Sequence, residues 1–167
     1  MNTTKAAYSD FNQNSEVEIL KEIYKLNQNN VPEVGDIPSF EKFINLVSKS
    51  KKSVYIRIKN KIIGFIVCFR ENSDYDSPNY KFFSKRTEKF MYIDRVAIDG
   101  NFRNKGLGNK LYNQIEMLPE SKNIPLCCEV NFIPLNHPSI CFHEKYGFIK
   151  VGKKIYENNS VFFYEKE

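Results

Sequence analysis

Residues Arg103 to Gly108 read RNKGLG, between an apolar strand-like run and an amphipathic helix-like one. A basic residue followed by two glycines at such a junction suits an anion. Glycine lets the backbone come close, the first amides of a helix have no internal acceptor, and the helix dipole favours negative charge. Arg103 would add a charge-assisted hydrogen bond. Three readings compete: a diphosphate held by the turn, a dinucleotide fingerprint, or a tight turn and nothing more. Glu129, on a strand about twenty residues on, imitates the acidic residue of a dinucleotide fold, but the third glycine is missing, since Leu111 stands where G-x-G-x-x-G needs it. The Walker pattern also fails, because GNFRNKGL lacks a Lys-Ser/Thr pair.

A second constellation lies in NHPSICFHEKYGF, residues 136–148. At the pitch of an α-helix, Asn136, Ser139, His143 and Tyr146 fall along one stripe. Asn136 can cap that helix, with Pro138 in its first turn and Gly147 as its stop. His143 titrates near neutrality in its ordinary state, so an imidazolium there is competent as a general acid, and Tyr146 offers a phenol one turn later. Two carboxylates are candidates for a base: Asp94 in YIDR and Glu129 in CCEVN. A carboxylate between Cys128 and Val130 is desolvated and raised in pKa, which favours Glu129, but either carboxylate could instead be half of a structural ion pair, Asp94 with a nearby Lys or Arg. His137, beside the cap, reads as exposed and inert.

These residues need a scaffold. The chain has 167 residues, 41% apolar and 14% aromatic, enough for one domain with a sizeable core. Ser15 and Glu18 form a capping box before a first helix, and Ser39 caps a second one with Phe40, Phe43, Ile44 and Val47 on its stripe. Val54, Ile56 and Ile58 alternate as a half-buried strand, and IIGFIVCF is a strand covered on both faces, with Gly64 marking a bulge. Residues 71–87 read as a long polar-aromatic connection. FMYIDRVAI, PLCCEV and a closing antiparallel pair supply the remaining strands. The expected fold class is α/β: one domain over residues 1–167 with a mixed central sheet of about six to seven strands and about four helices.

Composition narrows the partners. The formal charge of +5 comes from 25 basic residues scattered among 20 acidic ones, which does not indicate nucleic-acid coating. The four cysteines show no C-x-x-C spacing, so reduced thiols and no metal site are expected. No secretory leader is visible at the N-terminus and no apolar run approaches a membrane span of about 20 residues, so a cytoplasmic location is expected.

Taken together, a strand, RNKGLG, an amphipathic helix, a strand and then N-x-x-S-x-x-F-x-x-x-x-G-F resembles the GNAT superfamily of coenzyme A-dependent N-acyltransferases. Two motifs in this order, spanning Phe90 to about Phe148, carry the resemblance, and the YDSPNY, YIDR and NNVP segments resemble a bacterial subgroup of it. It implies that the backbone from Asn104 through Lys105, Gly106 and Leu107 to Gly108 cradles the diphosphate of acetyl-coenzyme A, with Arg103 and Lys105 assisting. It implies that Val96 and Ile98 end a splayed strand whose main chain meets the pantetheine arm, and that Asn136 and Ser139 contact that arm. In the family's FYxKxGF motif a tyrosine protonates the departing thiolate; His143 stands in its place here.

The activity so implied is N-acetyl transfer to a primary amine by direct attack in a ternary complex, without metal or covalent enzyme intermediate. Asn30, Tyr75, Tyr80 and Asn131 are the candidate acceptor contacts, and Asp74 and Asp76 would suit a cationic amine. The acceptor is a small molecule or a peptide, neither nucleic acid nor membrane is a partner, and a homodimer is compatible with such folds. The competing classes are a non-catalytic acyl-coenzyme A sensor, a nucleotide-binding oxidoreductase and a nucleic-acid-binding domain.

Overall fold

The computed structural model describes residues 5–167; residues 1–4, part of the segment read for a leader, lie outside them. The elements run β1 (Ala7–Asp10), α1 (Val17–Gln28), α2 (Phe40–Lys49), β2 (Lys52–Ile58), β3 (Lys61–Arg70) and α3 (Pro78–Arg86). They continue with β4 (Met91–Ile98), α4 (Leu107–Glu116), β5 (Leu126–Ile133), α5 (His137–Tyr146), β6 (Ile149–Ile155) and β7 (Ser160–Lys166). The strands form one seven-stranded sheet in the order β1-β2-β3-β4-β5-β7-β6. Only β4 and β5 are parallel; all other neighbours are antiparallel. This is the mixed α/β domain expected.

The unbroken apolar run of β3 follows from cover on both faces. Phe65, Val67 and Phe69 enter one buried cluster with Ile23, Phe43 and Phe83 of α1, α2 and α3. Ile63, Ile66 and Cys68 enter the other, with Leu111 and Ile115 of α4. The sheet is therefore the middle layer of three.

Caps fix most helix starts. The Ser39 hydroxyl accepts the Lys42 N–H and the Asn136 side chain accepts the Ser139 N–H, while Gly147 ends α5 at φ +103°. The capping box at α1 is not formed. The Ser15 hydroxyl accepts the Asn12 N–H at 3.0 Å instead, and α1 starts without a side-chain cap. The segment 71–87 also differs from the loop expected, since α3 occupies its second half. Ser77 caps α3 and Pro78 opens it, but only Tyr80 and Phe83 are buried, too few to write a helical period into the sequence.

Two bulges aim the site. At Gly64 the β2–β3 register slips by one residue, and a Cβ there would lie 2.6 Å from Ile98 Cδ1 and 3.2 Å from the Ala97 carbonyl. Glycine is what lets β3 lie this close to β4. In β4 the register runs from Val67↔Arg95 to Cys68↔Ile93, leaving Asp94 as the extra residue.

Candidate active site

Beyond its first residues the parallel pair of strands comes apart. β4 and β5 pair only at Met91↔Leu126 and Tyr92↔Cys127. Their diverging ends, from Ile93 to Ile98 and from Cys128 to Asn131, wall a cleft of about 1030 Å³, at the upper end of ordinary ligand clefts. The edge of β4 facing this gap has no strand partner, so its amides and carbonyls are available to an extended amide-bearing ligand.

The glycine turn closes one end of the cleft. Asn104 (φ +59°) and Gly106 (φ +73°) are both left-handed, and the Lys110 N–H to the Gly106 carbonyl is the first bond of α4. The amides of Leu107, Gly108 and Asn109 therefore have no helical acceptor. Gly108 serves a second purpose, since a Cβ there would lie 3.3 Å from the Phe142 ring of α5. Lys105 stands with its ammonium 5.0 Å from the Phe102 ring and does not line the cleft. Arg103 donates to Asn30 Oδ1 at 2.6 Å and to the Ile98 carbonyl at 3.3 Å.

On α5, Asn136, Ser139 and His143 all line the cleft. His143 is only 3% exposed, and burial pushes its pKa down to about 4, so the ring is neutral at physiological pH. Nδ1 lies 2.7 Å from the Ser139 carbonyl, which can only accept, so Nδ1 carries the proton. Nε2 is then an acceptor, and it takes the Tyr112 hydroxyl at 2.6 Å. A neutral ring with both nitrogens engaged does not start a reaction cycle as an imidazolium acid. Tyr146 departs from the stripe: its hydroxyl lies 2.7 Å from Asn113 Oδ1 and 2.9 Å from Glu116 Oε2 on α4, outside the cleft.

The two carboxylates sit where the strands part. Glu129 lines the cleft and accepts the Tyr92 hydroxyl at 2.6 Å. Burial, then the Asp94 charge, raises its pKa to about 8. Asp94, on the bulge, is committed on both oxygens: Tyr75 donates to one at 2.6 Å and the Arg95 guanidinium to the other at 2.7 Å. Arg95 in turn donates to Asn27 Oδ1 at 2.9 Å and to the Gly35 carbonyl at 3.1 Å. Glu129 is thus the carboxylate free to titrate, and Asp94 is half of a buried ion pair.

The diverging parallel strands thus leave a cleft with an amide-lined turn at one end and Glu129 on its wall. Residues 20–148 match the sequence model of the acetyltransferase (GNAT) family, most of the chain. The chain belongs to that family. It uses acetyl-coenzyme A as donor substrate and an amine as acceptor. No curated protein matches by sequence.

Solved GNAT folds agree in architecture. The Escherichia coli ribosomal-protein-S18-alanine N-acetyltransferase superposes with TM-score 0.70 at 14% identity, covering 97% of this chain and 93% of its own. Arabidopsis thaliana NAA60 in complex with acetyl-CoA gives 0.72 at 15% identity, covering 96% and 97%. The NatC complex bound to Gag peptide and CoA gives 0.72 at 16% identity, covering 97% and 98%. At these identities the likeness is one of fold.

The remaining expected contacts of this GNAT domain separate. Asn30 and Asn131 line the cleft, and Asn131 donates to the Pro32 carbonyl at 3.2 Å. Tyr75 stacks on Phe69 and reaches the site only through Asp94. Tyr80 lies in the core, donating to the Arg70 carbonyl at 2.7 Å and accepting the Ser73 N–H at 2.9 Å, so it is not an acceptor contact. Asp74 and Asp76 pair with Lys49 and Lys81 at the surface. Tyr112 and Asn79 are cleft residues that sequence reasoning passed over. Tyr112 is a polar-tipped residue within the apolar stripe of α4, which was its one visible signal. Among the described residues no group of His, Cys, Asp and Glu gathers as metal ligands would, and no helix is long and apolar enough to cross a membrane.

Proposed function

We propose that this GNAT protein acetylates the α-amine of a peptide by direct attack on acetyl-coenzyme A in a ternary complex. The observation that carries the reading is the position of Glu129. It is a carboxyl with a pKa near 8, on the cleft wall opposite the bulge that holds Asp94. The donor supplies an activated thioester. The amides from Asn104 to Gly108 and the Arg103 guanidinium would hold its diphosphate, and Val96 and Ile98 would offer main-chain groups to its arm. Asn136 and Ser139 would complete that wall.

Glu129 would accept a proton from the incoming ammonium. A base with a pKa near the operating pH is the efficient choice for that step. Asp94, fixed by Tyr75 and Arg95, would help keep the Glu129 pKa high. The acceptor would enter beside the loop after α1, where Val31 is exposed and Glu33 and Asp36 line the cleft. Leu135, 68% exposed, also lines the cleft. Apolar rims around acidic walls suit a short peptide with a cationic N-terminus. The relatives whose names specify an alanine substrate or a bound Gag peptide support the same class.

The test is acetyl transfer from acetyl-coenzyme A to a panel of N-terminal peptides, N-blocked lysine peptides and polyamines. Preferential labelling of free N-termini is expected. Transfer confined to polyamines would overturn the peptide reading, and coenzyme A binding without transfer to any amine would overturn the reaction.

A further inference from the structure

Inside the cleft, α4 and α5 are joined by one buried hydrogen bond that the reaction as described does not use. Tyr112 is 1% exposed, His143 is 3% exposed, and both line the cleft. The imidazole proton is committed to the Ser139 carbonyl at 2.7 Å, so the Tyr112 hydroxyl must be the donor in the 2.6 Å contact with Nε2. The geometry points to Tyr112 as the hydrogen-bond donor that receives the developing thiolate, with His143 as the residue that positions its hydroxyl until then. This rests on the acyl-transfer reading.

Acceptor strength explains why such an arrangement accelerates the reaction. A thioester sulfur is a weak acceptor, so in the ground state the hydroxyl stays on Nε2. As the C–N bond forms and the C–S bond breaks, the bonding pair moves to sulfur, and a charged acceptor outcompetes a neutral imidazole. The hydrogen bond is then stronger in the transition state than before it, which is the condition for catalysis. Burial raises the Tyr112 pKa well above its ordinary value, with Cys128 and Glu129 adding to it, so the phenol donates a hydrogen bond and keeps its proton. The thiolate takes its proton from solvent on release, and Glu129 returns the amine's proton to solvent.

Position is consistent with this role. Tyr112 lies on the helix that begins at the glycine turn, past the first turn and toward the sheet. His143 and Ser139 follow Asn136 on the facing helix. Four rings surround the Tyr112 ring, which packs edge-on against Phe142, His143, Tyr146 and Phe148. That packing excludes water and leaves few alternative partners for the donor.

The test compares wild type, Tyr112→Phe and the double variant Tyr112→Phe/His143→Tyr, which returns a phenol from α5. Coenzyme A affinity is read by calorimetry, ionisation of the bound thiol by ultraviolet absorbance, and turnover with acetyl-coenzyme A. Tyr112→Phe is expected to bind coenzyme A as wild type does and to lose roughly a hundredfold in kcat with KM unchanged. Its bound thiol should ionise about one pH unit higher, a tenfold change in the ionisation constant, and the double variant should recover both. Unchanged kcat and unchanged thiol ionisation in Tyr112→Phe would overturn the proposal. If the single variant does not fold, loss or recovery in the double variant decides. If wild type binds coenzyme A but acetylates no amine, the reaction fails separately, and the thiol ionisation still decides on Tyr112.

Discussion

Arg103 donates to the Asn30 amide oxygen at 2.6 Å, so the cation of the glycine turn is held by the loop that follows α1. The same side chain reaches the Ile98 carbonyl at the end of β4. One guanidinium therefore links the glycine-turn end of the cleft to the loop after α1. In the proposed donor site, Arg103→Ala would remove a charge-assisted contact to the diphosphate. Coenzyme A affinity is expected to fall by about tenfold to a hundredfold, read by calorimetry. Asn30→Ala strips both the Arg103 and Leu26 bonds from a buried amide and should cost about 1–3 kcal/mol in chemical denaturation.

The pKa of Glu129 sets a pH profile. Only the ionised carboxylate accepts a proton, so kcat/KM should rise with pH and level off above about 8. Glu129→Gln should flatten that limb and lower the rate by about 10²–10⁴-fold.

Stability should move the opposite way. The folded chain keeps the Glu129 proton to about pH 8, while the unfolded chain releases it near 4.5. Between those values the native state binds more protons, so unfolding free energy falls as pH rises. Denaturant titrations across that window should show this slope in wild type and its loss in Glu129→Gln.

Gly106 is required by its backbone rather than by crowding. Its φ is +73°, yet nothing lies within 4 Å of a Cβ built there. Gly106→Val should cost about 1–2 kcal/mol in the left-handed region. It should also abolish measurable coenzyme A binding, because the added side chain projects where the amides must meet the diphosphate. Retention of wild-type affinity would exclude the turn as the anion site.

The Asp94–Arg95 pair is 4% and 8% exposed at its side chains, and Arg95 also holds Asn27 and Gly35. Arg95→Met leaves a buried carboxylate with only Tyr75 as partner. A loss of about 3–5 kcal/mol is expected in thermal or denaturant unfolding. The acceptor KM should rise as well, since the loop after α1 loses its anchor.

The glycine turn was legible because its signal is local: two glycines, a basic residue and the change from period 2 to period 3.6. The Asn136 cap, the Gly147 stop and the cover on both faces of β3 were legible for the same reason. α3 was not, because its two buried residues write no period. The Ser15 capping box failed because α1 starts one residue later, with Glu16 at its N-cap, and the Ser15 hydroxyl accepts the Asn12 N–H instead.

Residue types and spacing thus determined the fold class, the glycine turn at the start of α4 and the short roster of titratable groups near it. Roles among those groups depend on contacts made across the chain, which no spacing rule encodes. The bulge at Asp94 placed one carboxylate in an ion pair with Arg95, and burial together with that neighbouring charge raised the Glu129 pKa. The packing of α4 on α5 buried His143, made it neutral and handed its free nitrogen to Tyr112, 31 residues away. Burial and partner choice set protonation, and both are properties of the folded chain.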